Sequence, residues 1–287
     1  MKDILVKGTI EGVRVYALST TNLVEKLNRI HKCSPLAIAA LGRTVTGALL
    51  LAATMKEQEC ITVQIKGDGP LGTIVAEAQG NFVRGYVQHP EVMLPPKNGK
   101  LDVGGGVGQG QILVTRYLAQ GEPFTGMCEL VNGEIATDLT QYLYQSEQTP
   151  ASVALGVLVG KDCTVQEAGG YFVQAMPDAK EEVLAQLENN VLTLPYVSEL
   201  LQAGYTPEGM IKKIGAGLEV NIKESNYLGV KCRCSREKVL HTLAALQDKD
   251  LQELSQDAVT EVHCQFCNKS YKFTNTELQV LRDKKST

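Results

Sequence analysis

Two short stretches constrain this chain more than anything else in it: VKCRCSREK, with Cys232 and Cys234, and VHCQFCNKS, with Cys264 and Cys267. Half of its eight cysteines fall in these two tight pairs. Four thiolates so grouped suit a tetrahedral Zn²⁺ site, with one ion per chain. A CxxC on a hairpin turn lets both sulfurs converge on one metal. A CxC places two sulfurs within reach in a tighter arc. His263 stands beside Cys264 and could replace one ligand, but four cysteines fill a tetrahedral site without it. The isolated Cys33, Cys60, Cys128 and Cys163 lie in apolar stretches and read as core residues.

That assignment needs reduced thiols. The opening MKDILVKGTIEG mixes charged and apolar residues and lacks the apolar centre of a signal peptide. The longest apolar run, SPLAIAALGRTVTGALLLAATM, is interrupted by Arg43 and two glycines and reads as too broken to span a membrane. The expectation is a cytoplasmic protein with no membrane partner. There, paired cysteines serve as metal ligands or redox centres more readily than as structural disulfides.

Size then sets what the metal does. The cysteines belong to a C-terminal region, 230–287, too short for a large core of its own, and such units need a staple. Structural zinc supplies about 10–16 kcal/mol of apparent binding free energy, against about 5–15 kcal/mol of stability for a typical domain. Loss of zinc should therefore unfold this region rather than loosen it. Lys231, Arg233, Arg236 and Lys269 are close in sequence and would favour thiolates. An oxidant could convert one sulfur to a sulfenic acid, which its near neighbour would capture as a disulfide. A CxC disulfide closes a small, strained ring that is easily reduced again. The site reads as one that holds zinc when reduced and gives it up when oxidised.

The rest of the chain reads as α+β. Residues 1–177 alternate strand and helix patterns: a hairpin around Glu11-Gly12, a helix from about Thr21, a long buried helix from Pro35, and strands from Cys60 onward around a central sheet. GGGVGQG (104–110) matches no phosphate-binding pattern, since no Lys follows, and reads as a flexible turn. Residues 178–229 read as a helical linker of three short helices, with Asp178 and Thr206 as caps, Pro207 at a first helical position and Gly204 as a stop. Helices this short are marginal alone and must borrow stability from whatever they pack against. The C-terminal module reads as a small α+β unit: a helix after Ser235, two strands joined at the CxxC, and a helix opened by a Thr274–Glu277 capping box.

The chain resembles the redox-regulated heat-shock chaperones of about thirty-three kilodaltons, over its whole length. Cys232-Arg-Cys234 with Cys264-Gln-Phe-Cys267 carries the likeness most specifically. SEQTPASVALGVLV (146–159) and GGYFVQAMP (169–177) add to it. The resemblance implies an ATP-independent holdase rather than an enzyme, zinc-bound and inactive when reduced. It implies activation by peroxide with heat or by hypochlorous acid, forming Cys232–Cys234 and Cys264–Cys267 disulfides. Zinc loss, unfolding of the zinc module, loosening of the linker, homodimerisation and binding of unfolding client proteins would follow. In that scheme 1–177 binds clients and dimerises, and 230–287 is the switch.

Two other readings compete. One is a zinc-ribbon nucleic-acid binder. Residues 231–287 hold ten Lys+Arg and eight Asp+Glu, +2 before metal; a zinc tetrathiolate adds about −2, leaving the region near neutral. The whole chain is acidic, at net −4. Both argue against phosphate binding. The other is a thiol–disulfide oxidoreductase, which needs an open, metal-free pair. No Ser/His/Asp set is recognisable: His31, His89 and His241 are scattered and read as surface or capping residues.

Overall fold

The computed structural model describes residues 2–283, and the chain divides into two compact units between Lys231 and Cys232. Met1 and residues 284–287, the outer ends of the first and third regions expected from sequence, lie outside the described residues.

The first unit opens with a hairpin, β1 (Ile4–Ile10) and β2 (Val13–Ser19). Its two-residue turn is Glu11-Gly12, both at positive φ (41° and 86°), which matches the right-handed twist of the flanking strands. Helices α1 (Thr21–His31) and α2 (Pro35–Ala52) follow, then β3 (Cys60–Gly67), β4 (Thr73–Gln79) and β5 (Phe82–Val87). After these come α3 (Val103–Val107), β6 (Gly110–Tyr117), β7 (Phe124–Glu129), α4 (Ala136–Gln145), β8 (Ala151–Val159) and β9 (Val165–Ala175). The segment expected as a linker forms α5 (Glu181–Leu192), α6 (Val197–Gln202), α7 (Pro207–Ile214) and then strand β10 (Val220–Tyr227). A two-residue strand, β11 (Gly229–Val230), completes the unit.

The strands form two sheets, ordered β10-β1-β2-β9-β8 and β11-β5-β4-β3-β6-β7. Helix α2 packs against both, touching β3, β4 and β5 of one and β8 and β9 of the other. On length and mean hydropathy (1.6) α2 passes for a membrane span, contrary to the sequence reading; 89% of it is buried inside the fold, the place of a core helix. Its one charged residue, Arg43, reaches Glu134 at 2.5 Å.

The five-stranded sheet is apolar on both faces. Along β2, Tyr16 and Leu18 join the core around α2, whereas Val13, Val15 and Ala17 face a second core with Val6 and Ile10 of β1. Alternation of this kind sends successive side chains to opposite faces. The second core is closed by Val183 and Leu187 of α5, Val197, Leu200 and Leu201 of α6, and Met210, Ile211 and Ile214 of α7. The borrowed stability thus comes from the sheet face itself. As expected, Thr206 caps α7, accepting from the Gly209 amide, and Pro207 opens it. The cap of α5 is Lys180 in extended conformation, not Asp178.

One local feature differs from the sequence reading, and a second is strained. The glycine-rich stretch is a single helical turn, α3, whose Asp102 carboxylate accepts from the Gly105 amide. The chain passes so close there that a Cβ on Gly67 would lie 1.8 Å from the Val107 carbonyl oxygen. Before α4, the β-branched Ile135 is fully buried at φ 45°, a costly conformation for its side chain. Asp138, also fully buried, holds it there, accepting from the amides of Val131 (2.8 Å), Asn132 (3.3 Å) and Ile135 (3.0 Å). Asp138→Ala removes the acceptor shared by these three amides, that of Ile135 buried, and is expected to lower stability by about 3 kcal/mol, read as a shifted urea midpoint.

The second unit contains α8 (Arg236–Ala244), α9 (Asp248–Leu254), β12 (Val259–His263), β13 (Ser270–Thr274) and α10 (Asn275–Asp283). Among the described residues its buried apolar core is five side chains: Leu243, Leu251, Tyr271, Phe273 and Leu278. The Thr274–Glu277 capping box is formed in both directions. Helix α9 was not anticipated.

Candidate metal centre

Strands β12 and β13 pair antiparallel, with Val262 opposite Tyr271 and His263 opposite Ser270, so the CxxC lies in the connecting turn. Asn268, at φ 56°, makes that turn, and its amide donates to the Cys264 carbonyl at 2.8 Å. The turn folds its own amides onto its sulfurs: Cys264 accepts from Phe266 and Cys267, and Cys267 from Lys269.

The CxC lies just before α8, outside helix and strand. Ser235 caps that helix, its hydroxyl accepting from the Lys238 amide. Arg236, two residues beyond Cys234, ties the segment to the hairpin. It donates to the Lys272 carbonyl (2.6 Å) and to Glu277 (2.5 Å), and its guanidinium lies 4.3 Å from the Phe273 ring centroid.

These elements bring all four sulfurs within 4.8 Å of one another, close enough to hold a metal ion. Between the pairs, the Cys232 sulfur lies 3.7 Å from that of Cys264 and the Cys234 sulfur 3.4 Å from that of Cys267. Each cysteine is half-buried. The Tyr271 hydroxyl donates to the Cys234 sulfur at 3.1 Å. That bond, with burial and the other sulfurs, holds the phenol well above its ordinary range, so it keeps its proton. His263 is not in the cluster: its ring sits 3.2 Å from the Ser270 hydroxyl and 3.9 Å from Glu261.

Three of the four cations expected to favour the thiolates make other contacts. Lys231 lies over the Phe82 ring, Lys269 over Tyr271, and Arg236 is paired with Glu277. Burial pushes the Cys264 thiol up, and burial with the adjacent sulfurs pushes Cys267 up to about 12. Such thiols ionise when a metal supplies the positive charge, so metal uptake must release protons. Apparent metal affinity is therefore expected to rise steadily from pH 6 to pH 9, measured by competition with a chromophoric chelator.

Of the other cysteines, Cys33 and Cys60 are buried as expected and Cys128 partly so. Burial lifts Cys33 to about 12. Cys163 is not a core residue: it is exposed at φ 61° in the β8–β9 turn, where its carbonyl accepts from Asn28.

Comparison with known proteins places this arrangement. The sequence model of the family described as Hsp33 protein matches residues 3–274. A 33 kDa chaperonin of Desulforamulus reducens is 44% identical over 285 residues, 97% of each chain. One from Symbiobacterium thermophilum is 45% identical over 99% of each. One from Clostridioides difficile is 42% identical over 99% of this chain and 100% of its own. The crystal structure of the 33 kDa chaperonin (Hsp33 homologue) of Thermotoga maritima superposes with a TM-score of 0.91 at 36% identity, covering 100% of this chain and 99% of that one. With that agreement in sequence and fold running through both units, the chain belongs to the Hsp33 protein family.

Proposed function

We propose that the protein is an ATP-independent holdase chaperone of the cytoplasm, switched on by oxidation of a zinc tetrathiolate held by Cys232, Cys234, Cys264 and Cys267. The observation that carries the reading is the convergence of these four sulfurs in a unit whose buried apolar core, among the described residues, is five side chains. Four soft sulfur donors with no open carboxylate or water position suit a structural zinc. A regular ZnS₄ tetrahedron with Zn–S of about 2.3 Å has sulfurs about 3.8 Å apart, and the Cys232–Cys264 and Cys234–Cys267 separations, 3.7 and 3.4 Å, lie close to that value. When bound, zinc would supply cross-links between the CxC segment and the CxxC hairpin.

The cysteines perform the switch. A thiolate attacks peroxide: the O–O bond breaks, an S–O bond forms, and the sulfur becomes a sulfenic acid as peroxide is reduced to water. A neighbouring thiol displaces that oxygen as water and the S–S bond forms. We propose that the disulfides are Cys232–Cys234 and Cys264–Cys267. In the folded site the 3.4 and 3.7 Å contacts run between the pairs, but they exist only while the site is folded. Partners two and three residues apart stay at high effective concentration after the unit unfolds. Each disulfide removes two ligands, so both together leave none.

The linker follows by covalent continuity. The Lys231 amide donates to the Val83 carbonyl (3.1 Å), and the next residue is Cys232. Unfolding that begins at Cys232 pulls on β11, β10 and the helices before them. Release of α5–α7 would bare the apolar sheet face they cover, a surface for unfolding clients and for a second copy of the chain.

The test measures zinc content and suppression of client aggregation on one sample, without ATP, before and after peroxide at elevated temperature. One equivalent of zinc released as suppression appears, with both reversed by reductant and zinc, supports the switch. Zinc retained under oxidation, or suppression independent of it, makes the site a structural staple.

A further inference from the structure

We infer that the Tyr271 hydroxyl is a positioning group that restrains oxidation of Cys234, so that a residue outside the four ligands sets how readily the site responds to peroxide. The inference rests on the tetrathiolate reading above. Its starting observation is an asymmetry between the two pairs. The CxxC turn supplies its own donors, the amides of Phe266, Cys267 and Lys269. The CxC lies outside helix, strand and hydrogen-bonded turn. The donor to Cys234 comes instead from β13, thirty-seven residues away in sequence, as the Tyr271 O–H···Sγ contact of 3.1 Å.

The hydroxyl is fixed by its surroundings. Tyr271 is 7% exposed within the five-residue core, its backbone is paired with Val262, and the Lys269 ammonium lies 5.2 Å from its ring centroid. A rigid side chain with one donor aimed at one sulfur loses little entropy in making that bond. A hydrogen bond to a metal-bound thiolate draws electron density from the sulfur lone pairs. It lowers nucleophilicity toward peroxide and keeps the ligand seated, the role that outer partners of metal ligands play generally. Oxidation of Cys234, by two electrons with peroxide reduced to water, must give up this bond, since a sulfenic sulfur is a far poorer acceptor than a thiolate.

The test is Tyr271→Phe in the full chain, which keeps the ring and removes the donor. Leu251→Ala serves as control: it opens the same small core at a fully buried site without removing a donor to any cysteine. Two quantities are read. In cobalt-loaded protein, the sulfur-to-cobalt charge-transfer band should move to lower energy in Tyr271→Phe and stay in place in Leu251→Ala. In zinc-loaded protein, peroxide-driven zinc release should be about tenfold faster in Tyr271→Phe, the lower end of what outer-shell partners contribute. An unmoved band overturns the assignment, as does a release rate equal to the parent's, or an equal band shift in Leu251→Ala. If the parent chain loses no zinc to peroxide, the switch reading fails by itself, and the charge-transfer band still decides whether Tyr271 donates to Cys234.

Discussion

Chelating zinc from the intact, reduced protein is expected to unfold residues 232–283 while the first unit stays folded. The second unit has little else to hold it. Five buried side chains and a two-stranded hairpin do not make an independently stable domain. Its four short pieces, α8, α9, α10 and the hairpin, share that one small core. A structural zinc contributes about 10–16 kcal/mol, more than so small a unit can lose. Amide exchange in α8, β12, β13 and α10 should accelerate by more than about a thousandfold. Exchange in α2 and β3 should not change, because the described residues of their core all belong to the first unit. Cys232→Ser and Cys264→Ser should each produce the same state without chelator, since a tetrahedral site missing one ligand binds far more weakly. Hydrogen-exchange mass spectrometry on the full chain reads both units at once. Retained protection across 232–283 after the metal is gone would mean that the small core suffices and that the cysteines are not its staple.

How much of this was legible beforehand depended on whether the determining interaction was local. The hairpin at Glu11-Gly12, the capping box at Thr274–Glu277 and the Thr206-Pro207 start of α7 are each decided within a few residues, and the structure has all three. The cysteine cluster was legible because metal ligation leaves its spacing in the chain. Where a partner came from afar, reading failed. Helix α1 has no cap of its own at Thr20; the carboxylate of Asp3 accepts from the amides of Asn22 and Leu23 instead, and burial raises its pKa even so. Strand β10 carries few buried residues, so it has no strong period of two; it is a strand because β1 offers it an edge. The phenol donor to Cys234 left no signal either: a tyrosine four residues past a CxxC reads as hairpin core, which it also is. The glycine-rich stretch misled in the opposite sense. Glycines there permit close chain packing around a capped turn, and they do not signal looseness.

Ile211→Ala is expected to convert the reduced, zinc-loaded protein into an aggregation suppressor without any oxidant. Ile211 is fully buried on α7, and its Cγ2 lies 3.6 Å from where a Cβ on Gly8 of β1 would be, so it sits directly on the sheet. Truncating such a side chain costs about 2–5 kcal/mol. Helix α7 has eight residues and cannot stand alone, so that loss falls on the docking of the linker rather than on the helix. An intermediate value of about 3 kcal/mol corresponds to about a hundredfold rise in the undocked population. Exchange across α5–α7 should quicken by that factor, while zinc content and the protection of α8–α10 stay as in the parent. The division matters because oxidation acts at the other end of the same chain. If the switch works by releasing the sheet face under α5–α7, then loosening those helices directly must bypass peroxide and leave the four cysteines reduced. Leu187→Ala, on α5 in the same core, should act in the same direction. Faster exchange in the linker with no gain in suppression would place the client surface elsewhere. It would also separate the metal site's stability from the protein's capacity to hold unfolding chains.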